Sequence, residues 1–182
     1  MRSENMQNYW NLLQEAIETT DSLGLGKETF AQVSSKIIKP EHGPALVDAV
    51  SEEIGFGALS LADIAFQCAR INWQMKPKFE EIIQDKILLT LGTVIFQGQS
   101  LWDIGNLDLN ELRTLGTYHV WWSLASGEIV DVTLMPSLVF QHGADPRHAV
   151  PLAGFPQQFP QIEWIPKLVG DQLVRQLLNL GL

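Results

Sequence analysis

Apolar residues recur at helical spacing from the start of the chain. Tyr9, Leu12, Leu13, Ala16 and Ile17 share one stripe, so the spacing predicts an amphipathic helix over residues 4–20. Leu23-Gly24-Leu25-Gly26 ends it. Residues 28–38 suit a second short helix, which Pro40 and His42-Gly43-Pro44 break. A third helix is expected over Ala45 to Ile54, stopped by Gly55-Phe56-Gly57. Ser60 followed by Asp63 resembles an N-terminal cap. A fourth helix is therefore expected from Ser60 to about Met75, with residues 77–85 extending it or adding a turn or two.

The pattern changes at Lys86. Residues 87–96 are apolar, β-branched and short, and read as a buried strand. Residues 98–115 are mixed, with helical spacing near 107–115. Thr117–Leu124 and Glu128–Leu134 alternate like strands around Ala125-Ser126-Gly127, a hairpin signal. Six prolines fall between Pro136 and Pro166, so that stretch should be extended and loop-rich. Residues 167–180 resume helical spacing through Leu168, Leu173 and Leu177. Helices first and strands later predict an α+β fold, a helical N-terminal half packed on a small antiparallel sheet. The expected organisation is one domain over 1–182. Its parts are a helical portion (1–59), a core (60–135), a Pro-rich segment (136–166) and a C-terminal helix (167–182).

The hairpin also carries candidate chemistry. With a three-residue loop at 125–127 and Gly127 left-handed, Trp122 faces Val130. One face then collects Tyr118, Val120, Trp122, Leu124, Val130, Val132 and Leu134, a core. The other collects Thr117, His119, Trp121, Ser123, Asp131 and Thr133. His119 and Asp131 become diagonal neighbours, about 7–8 Å apart at the backbone, which an imidazole and a carboxylate can bridge. A two-residue loop would put them on opposite faces. The polar outer face of an ordinary strand pair has the same composition.

Composition narrows the classes. The chain has 182 residues, 46% of them hydrophobic and 18% charged, which is a folding composition. No apolar run reaches the ~18 residues of a membrane span, and Met1 to Gln14 lacks the apolar core of a signal peptide. The expected location is therefore cytoplasmic, or delivered as an effector. A net charge of −9 with no basic cluster argues against a nucleic-acid partner.

Cys68 is the one cysteine. It is either a buried small hydrophobe or a thiol with a chemical role. Ile64, Cys68, Ile71 and Met75 form one apolar stripe, and a helix capped by Ser60 would hold Cys68 two turns inside. That is the pattern of a core cysteine. A His–Asp pair, however, becomes a hydrolase site when a thiol joins it.

The order of helix with Cys68, strand with His119, strand with Asp131 resembles the transglutaminase-like branch of the papain-like cysteine enzymes. The resemblance rests on His119-Val120-Trp121, Gly127 and Ile129-Val130-Asp131-Val132-Thr133. It implies a papain/transglutaminase-like core with Cys68 as nucleophile, His119 as general base and acid, and Asp131 orienting the imidazole. The implied chemistry is acyl transfer on a glutamine, amide or peptide carbonyl, by hydrolysis, deamidation or transfer. Some bacterial effector deamidases of this fold are similarly compact, which brings deamidation of a host protein into view. The family places a small residue just before a cysteine that opens its helix, whereas Phe66-Gln67 precede Cys68 here.

Supporting roles have two readings each. The Cys68 N–H could donate to an oxyanion, and Gln67 could add a second donor or point to solvent. Asn72 could orient a nearby group or be an exposed helix amide. Trp121 could wall a substrate groove or pack under the Pro-rich segment. That segment could cover the groove as a lid, or wrap the surface anchored by Phe140, Phe155, Phe159 and Trp164.

His142 and His148 could be drawn with Cys68, His119 and Asp131 as a zinc set, but Gly143 and Pro146 make a loop without helical pairing. No metal and no cofactor are expected. Gly55-Phe56-Gly57 lacks the Lys of a phosphate loop, and no Gly-x-Ser-x-Gly elbow occurs. Residues 1–60 carry four basic and nine acidic side chains. They suggest a second class, a non-catalytic protein-interaction module with a buried structural cysteine. The enzyme reading calls for a protein, peptide or amide substrate, with neither nucleic acid nor membrane as partner. The oligomeric state stays open.

Overall fold

A computed structural model describes residues 2–29, 38–54, 61–105 and 107–180. The fold is α+β with an antiparallel sheet. Helix α1 (Arg2–Ser22) forms where the apolar stripe predicts it and buries Tyr9, Leu13, Ala16 and Ile17. The short helix expected at 28–38 lies almost wholly outside the described residues. Helix α2 (His42–Ile54) begins at the supposed breaker His42-Gly43-Pro44. A first-turn N–H has no intrahelical acceptor, so Pro44 loses nothing there.

The single helix expected from Ser60 is two. A one-turn helix, α3 (Leu61–Ile64), stops at Ala65–Gln67, and α4 (Cys68–Ile83) starts afresh. The break is at Phe66, whose φ of 62° is left-handed. Helix α4 then runs through Pro77 to a left-handed cap at Gln84.

Strand β1 (Ile87–Phe96) follows as predicted and is central to the sheet. Strand β2 (Gln99–Trp102) folds back on it through Gln97-Gly98, both at positive φ. Two such residues match the twist of a two-residue hairpin, yet this short strand carries no alternating pattern. Helix α5 (Leu109–Leu115) is capped by the Asp108 carboxylate, which accepts from the Asn110 and Glu111 N–H groups, and closed by Gly116. Strands β3 (His119–Leu124) and β4 (Ile129–Asp131) form the expected hairpin. Trp122 pairs with Val130, Gly127 is left-handed at φ 83°, and the Leu124 N–H donates to the Glu128 carbonyl.

The Pro-rich stretch is far more ordered than its composition suggests. It holds helix α6 (Leu134–His142), strand β5 (Leu152–Gly154) and most of β6 (Ile162–Val169). Pro136 falls in the first turn of α6, and Pro166 sits beside a register shift in the β1–β6 pairing. These are positions where a missing N–H is tolerated. Strand β6 also takes residues assigned to the C-terminal helix, so α7 (Asp171–Leu177) is short.

The sheet order is β2-β1-β3-β4-β5, with β6 on the other edge of β1. Both faces are covered. Val120, Trp122, Leu124, Val130 and Val132 pack with residues of α2, α4 and α7 such as Val50, Met75, Phe79 and Leu173. Phe79 and Trp122 meet with ring centroids 4.1 Å apart. The opposite face, polar by alternation, is buried under α1 and α6 through Tyr9, Leu13, Leu134 and Leu138. Several of its polar groups pair internally. Ser123 Oγ lies 2.7 Å from Tyr9 Oη and 2.6 Å from Thr90 Oγ1. At β1, Gly92 leaves room for the Trp121 ring, which a Cβ there would approach to 2.6 Å. His119 and Asp131 therefore lie in a buried layer instead of on a solvated sheet surface.

Candidate active site

Cys68 is the first residue of α4, so the expected placement two turns inside a helix is corrected. The cause is the left-handed Phe66, a conformation costing a non-glycine residue about 1–2 kcal/mol. Local contacts hold it. The Phe66 N–H donates to Ser137 Oγ at 3.1 Å, and the Phe66 ring meets Phe140 edge-on at 6.2 Å. Ser137 in turn donates to the Thr133 carbonyl. The loop before Cys68 is thus pinned by α6, the helix that starts just beyond Asp131.

The Cys68 N–H makes no hydrogen bond among the described residues, as a first-turn helix donor should not. Gln67 holds the cap position. Its own N–H is spent on the Ile64 carbonyl at 3.2 Å, and its exposed side chain makes no capping bond. Asn72 is fully buried, which corrects the exposed-amide reading. Its Nδ2 donates to the Cys68 carbonyl at 2.8 Å and to the Val120 carbonyl at 2.9 Å. Asn72 thereby ties the first turn of α4 to the strand that carries His119.

His119 opens β3 and is 1% exposed. Its Nε2 lies 2.8 Å from Asp131 Oδ2. The other ring nitrogen, Nδ1, is not used by Asp131, and Cys68, which lines the same cleft, adds to the upward shift of the imidazole. The Cys68 thiol also faces the Tyr118 carbonyl across a long 4.0 Å contact. Trp102 stacks on the imidazole at 4.7 Å and 23°. Asp131 ends β4 and is fully buried. Its Oδ1 accepts from the Thr133 and Leu134 N–H groups at 3.2 and 3.0 Å, and its Oδ2 accepts from Trp164 Nε1 at 3.0 Å. A carboxylate with this many donors is fixed in place and charge-stabilised.

Burial works against charge on His119, but Asp131, by charge and hydrogen bond, outweighs it with help from Cys68. The imidazole is pushed up to about 10. Asp131 shifts the other way. Burial would raise it, yet His119, Trp164 and the Leu134 N–H hold it below the ordinary carboxylate range. Tyr118, on the rim, is raised to about 12 by burial and the nearby Cys68.

These directions fix a pH window for stability. A histidine raised on folding stabilises fully below its unfolded value of 6.5, and loses that contribution as pH rises through about 10. A depressed aspartate stabilises above its unfolded value of 3.8 and loses the contribution as pH falls below it. Urea unfolding should show a plateau near pH 5–6 and a decline of a few kcal/mol toward pH 10. In His119→Gln the alkaline decline should shrink. A wild-type stability flat from pH 6 to 10 would show that the pair is not charged.

Above Cys68 lies a cleft of about 140 Å³, lined by Phe66, Gln67, Ala69, Arg70, Trp102, Tyr118 and His119 among others. None of residues 136–166 lines it, so the Pro-rich segment does not cover it as a lid. That segment builds the site from below instead, through Trp164. Trp121 does not wall a groove either. It is fully buried, donates its Nε1–H to Tyr9 Oη at 2.8 Å, and packs under α1. His142 and His148 are exposed and do not line the cleft, and among the described residues no group of three His, Cys, Asp or Glu is arranged to hold a metal ion.

The structure therefore brings Cys68, His119, Asp131 and Gln67 together, with Asn72 behind them. Sequence reasoning missed Trp102 and Trp164 as site residues. Alternation along Ile162–Val169 could have placed Trp164 on the inner face, whereas nothing marked Trp102. No family model, curated protein or solved structure matches this chain.

Proposed function

We propose that this chain is a cysteine-dependent acyl-transfer enzyme, a glutamine deamidase, amide hydrolase or transglutaminase-like enzyme using Cys68, His119 and Asp131. One observation carries the reading. The single thiol opens a 16-residue helix beside an imidazole whose far nitrogen is held by a buried carboxylate. Each part has a chemical use. The helix N-terminus favours negative charge at sulfur, and Asp131 fixes the ring and sustains its positive charge.

In the attacking form the Cys68 proton has passed to Nδ1 of His119. Sulfur attacks the amide carbon, forming the C–S bond and placing charge on the carbonyl oxygen. The unused Cys68 N–H is a donor for that oxyanion, and the Gln67 side chain is the candidate second donor. Nδ1 then protonates the leaving nitrogen as the C–N bond breaks, and ammonia or an amine departs. Water, or an acceptor amine, attacks the thioester and gives its proton to Nδ1. The C–S bond breaks and sulfur leaves with its electron pair, restoring the starting pair. The resemblance of the His119–Thr133 segment to the transglutaminase-like enzymes supports the same assignment. Deamidation of a host protein by a delivered effector belongs to this reading.

The second reading, an interaction module with a structural cysteine, draws on the 6% exposure of Cys68 and its packing in the core shared by α2, α4 and α7. Alkylation separates the two. Because Cys68 is the only cysteine, iodoacetamide uptake reports on it alone. Folded protein should label readily at pH 7, and His119→Ala should slow labelling at least about tenfold. A thiol inert until urea unfolds the chain would leave the structural reading standing.

A further inference from the structure

The rim of the cleft carries a charge pattern that folding alone does not explain. Arg70 is the third residue of α4, exposed, and lines the cleft over Cys68. A cation in the first turn opposes the helix dipole, so the position is unfavourable for stability. The first turn holds no acidic residue to offset it. Four other cations form ion pairs: Lys76 with Asp171, Lys78 with Glu81, Lys86 with Glu28 and Arg147 with Asp145. Arg70 has neither ion pair nor hydrogen bond among the described residues. Among the described residues no Asp or Glu lines the cleft.

The mouth thus combines an unpaired guanidinium, the free N–H groups of a helix start and the His119 imidazolium, in a chain of net charge −9. A local rule broken at a stability cost, beside reactive groups, marks a binding task. A cavity of about 140 Å³ is also below the usual ligand-pocket size, so it admits a side chain and not a whole ligand.

We infer that Arg70 selects an acyl donor bearing a carboxylate next to the amide that Cys68 attacks. The carboxylate is either an acidic side chain flanking a glutamine or asparagine, or a free chain terminus on the same residue. The guanidinium pairs with it bidentately and so orients the carboxamide over Cys68 Sγ. The inference rests on the Cys68 nucleophile reading and deepens it.

Two alkylating agents that differ only in charge test it without a known substrate. Rates of Cys68 modification by iodoacetate and by iodoacetamide are compared in wild type, Arg70→Gln and Arg70→Lys. The iodoacetate-to-iodoacetamide ratio should fall about tenfold in Arg70→Gln and be largely kept in Arg70→Lys. An unchanged ratio, with iodoacetamide still labelling folded protein, overturns the carboxylate site and leaves the nucleophile reading intact. Labelling by neither reagent overturns the nucleophile reading, and this inference with it. Ammonia release from Gln-Asp, Gln-Ser and C-terminal Gln peptides, each as free acid and as amide, then identifies which carboxylate is read. Equal rates across the set in wild type would also reject the site.

Discussion

Replacing Cys68 with alanine should abolish ammonia release from glutamine-rich casein peptides, by at least about 10⁴-fold, while the protein stays folded. The size of the effect follows from the absence of a substitute. Cys68 is the only thiol, and Asn72, one turn further along α4, is buried and committed to two carbonyls. Removing sulfur leaves only the oxyanion donors and the shape of the cleft, which sustain a small residual rate. Stability should change little. The anchors of this turn are the Asn72 amide and the Phe66–Ser137 bond, and neither uses the thiol. Circular dichroism and the urea midpoint check the fold, and ammonia detection checks the rate. A Cys68→Ala protein that releases ammonia at the wild-type rate would sink the assignment, whichever nucleophile replaced it.

The parts of this site that could be read from sequence are those set by local rules. Period-two alternation and the Ala125-Ser126-Gly127 loop put His119 and Asp131 on one face, because strand register follows from loop length. The α+β class followed from the order of the elements. What failed were inferences about neighbours. Alternation cannot tell a solvated face from one buried under another helix, so the Ser123 and Trp121 layer was legible only as polar. The break before Cys68 was hidden because Phe66 carries no signal for a left-handed backbone. Its conformation is imposed by Ser137 and Phe140, 71 and more residues later in the chain. Trp164 reaches Asp131 from a strand paired with the far edge of β1, a relation with no trace in local spacing. Proline content misled for a related reason. Pro136 and Pro166 occupy a first turn and a register shift, where proline is compatible with regular structure.

Asp131 separates chemistry from architecture, and two substitutions read them apart. In Asp131→Asn the side chain keeps its shape and one acceptor oxygen. The Thr133 and Leu134 N–H groups can still be satisfied by that oxygen, which keeps α6 in place. The amide nitrogen must then face His119 Nε2 and Trp164 Nε1, and Trp164 can only donate. The imidazole loses its anionic partner and falls toward, or below, its ordinary value, since burial alone drives it down. Turnover should drop by about 10³–10⁴-fold, and the alkaline loss of stability between pH 6.5 and 10 should vanish. Asp131→Ala removes every acceptor at once. It strands the Trp164 indole, the α6 donors and a buried imidazole in a space with no solvent access. Breaking a buried charged pair in this way costs about 3–5 kcal/mol. The unfolding midpoint should therefore fall much further in Asp131→Ala than in Asp131→Asn, although both lose activity. If the two variants were equally stable, Asp131 would not hold α6 and Trp164 together. If Asp131→Asn kept the wild-type rate, the carboxylate would serve packing alone and His119 would have to work without it.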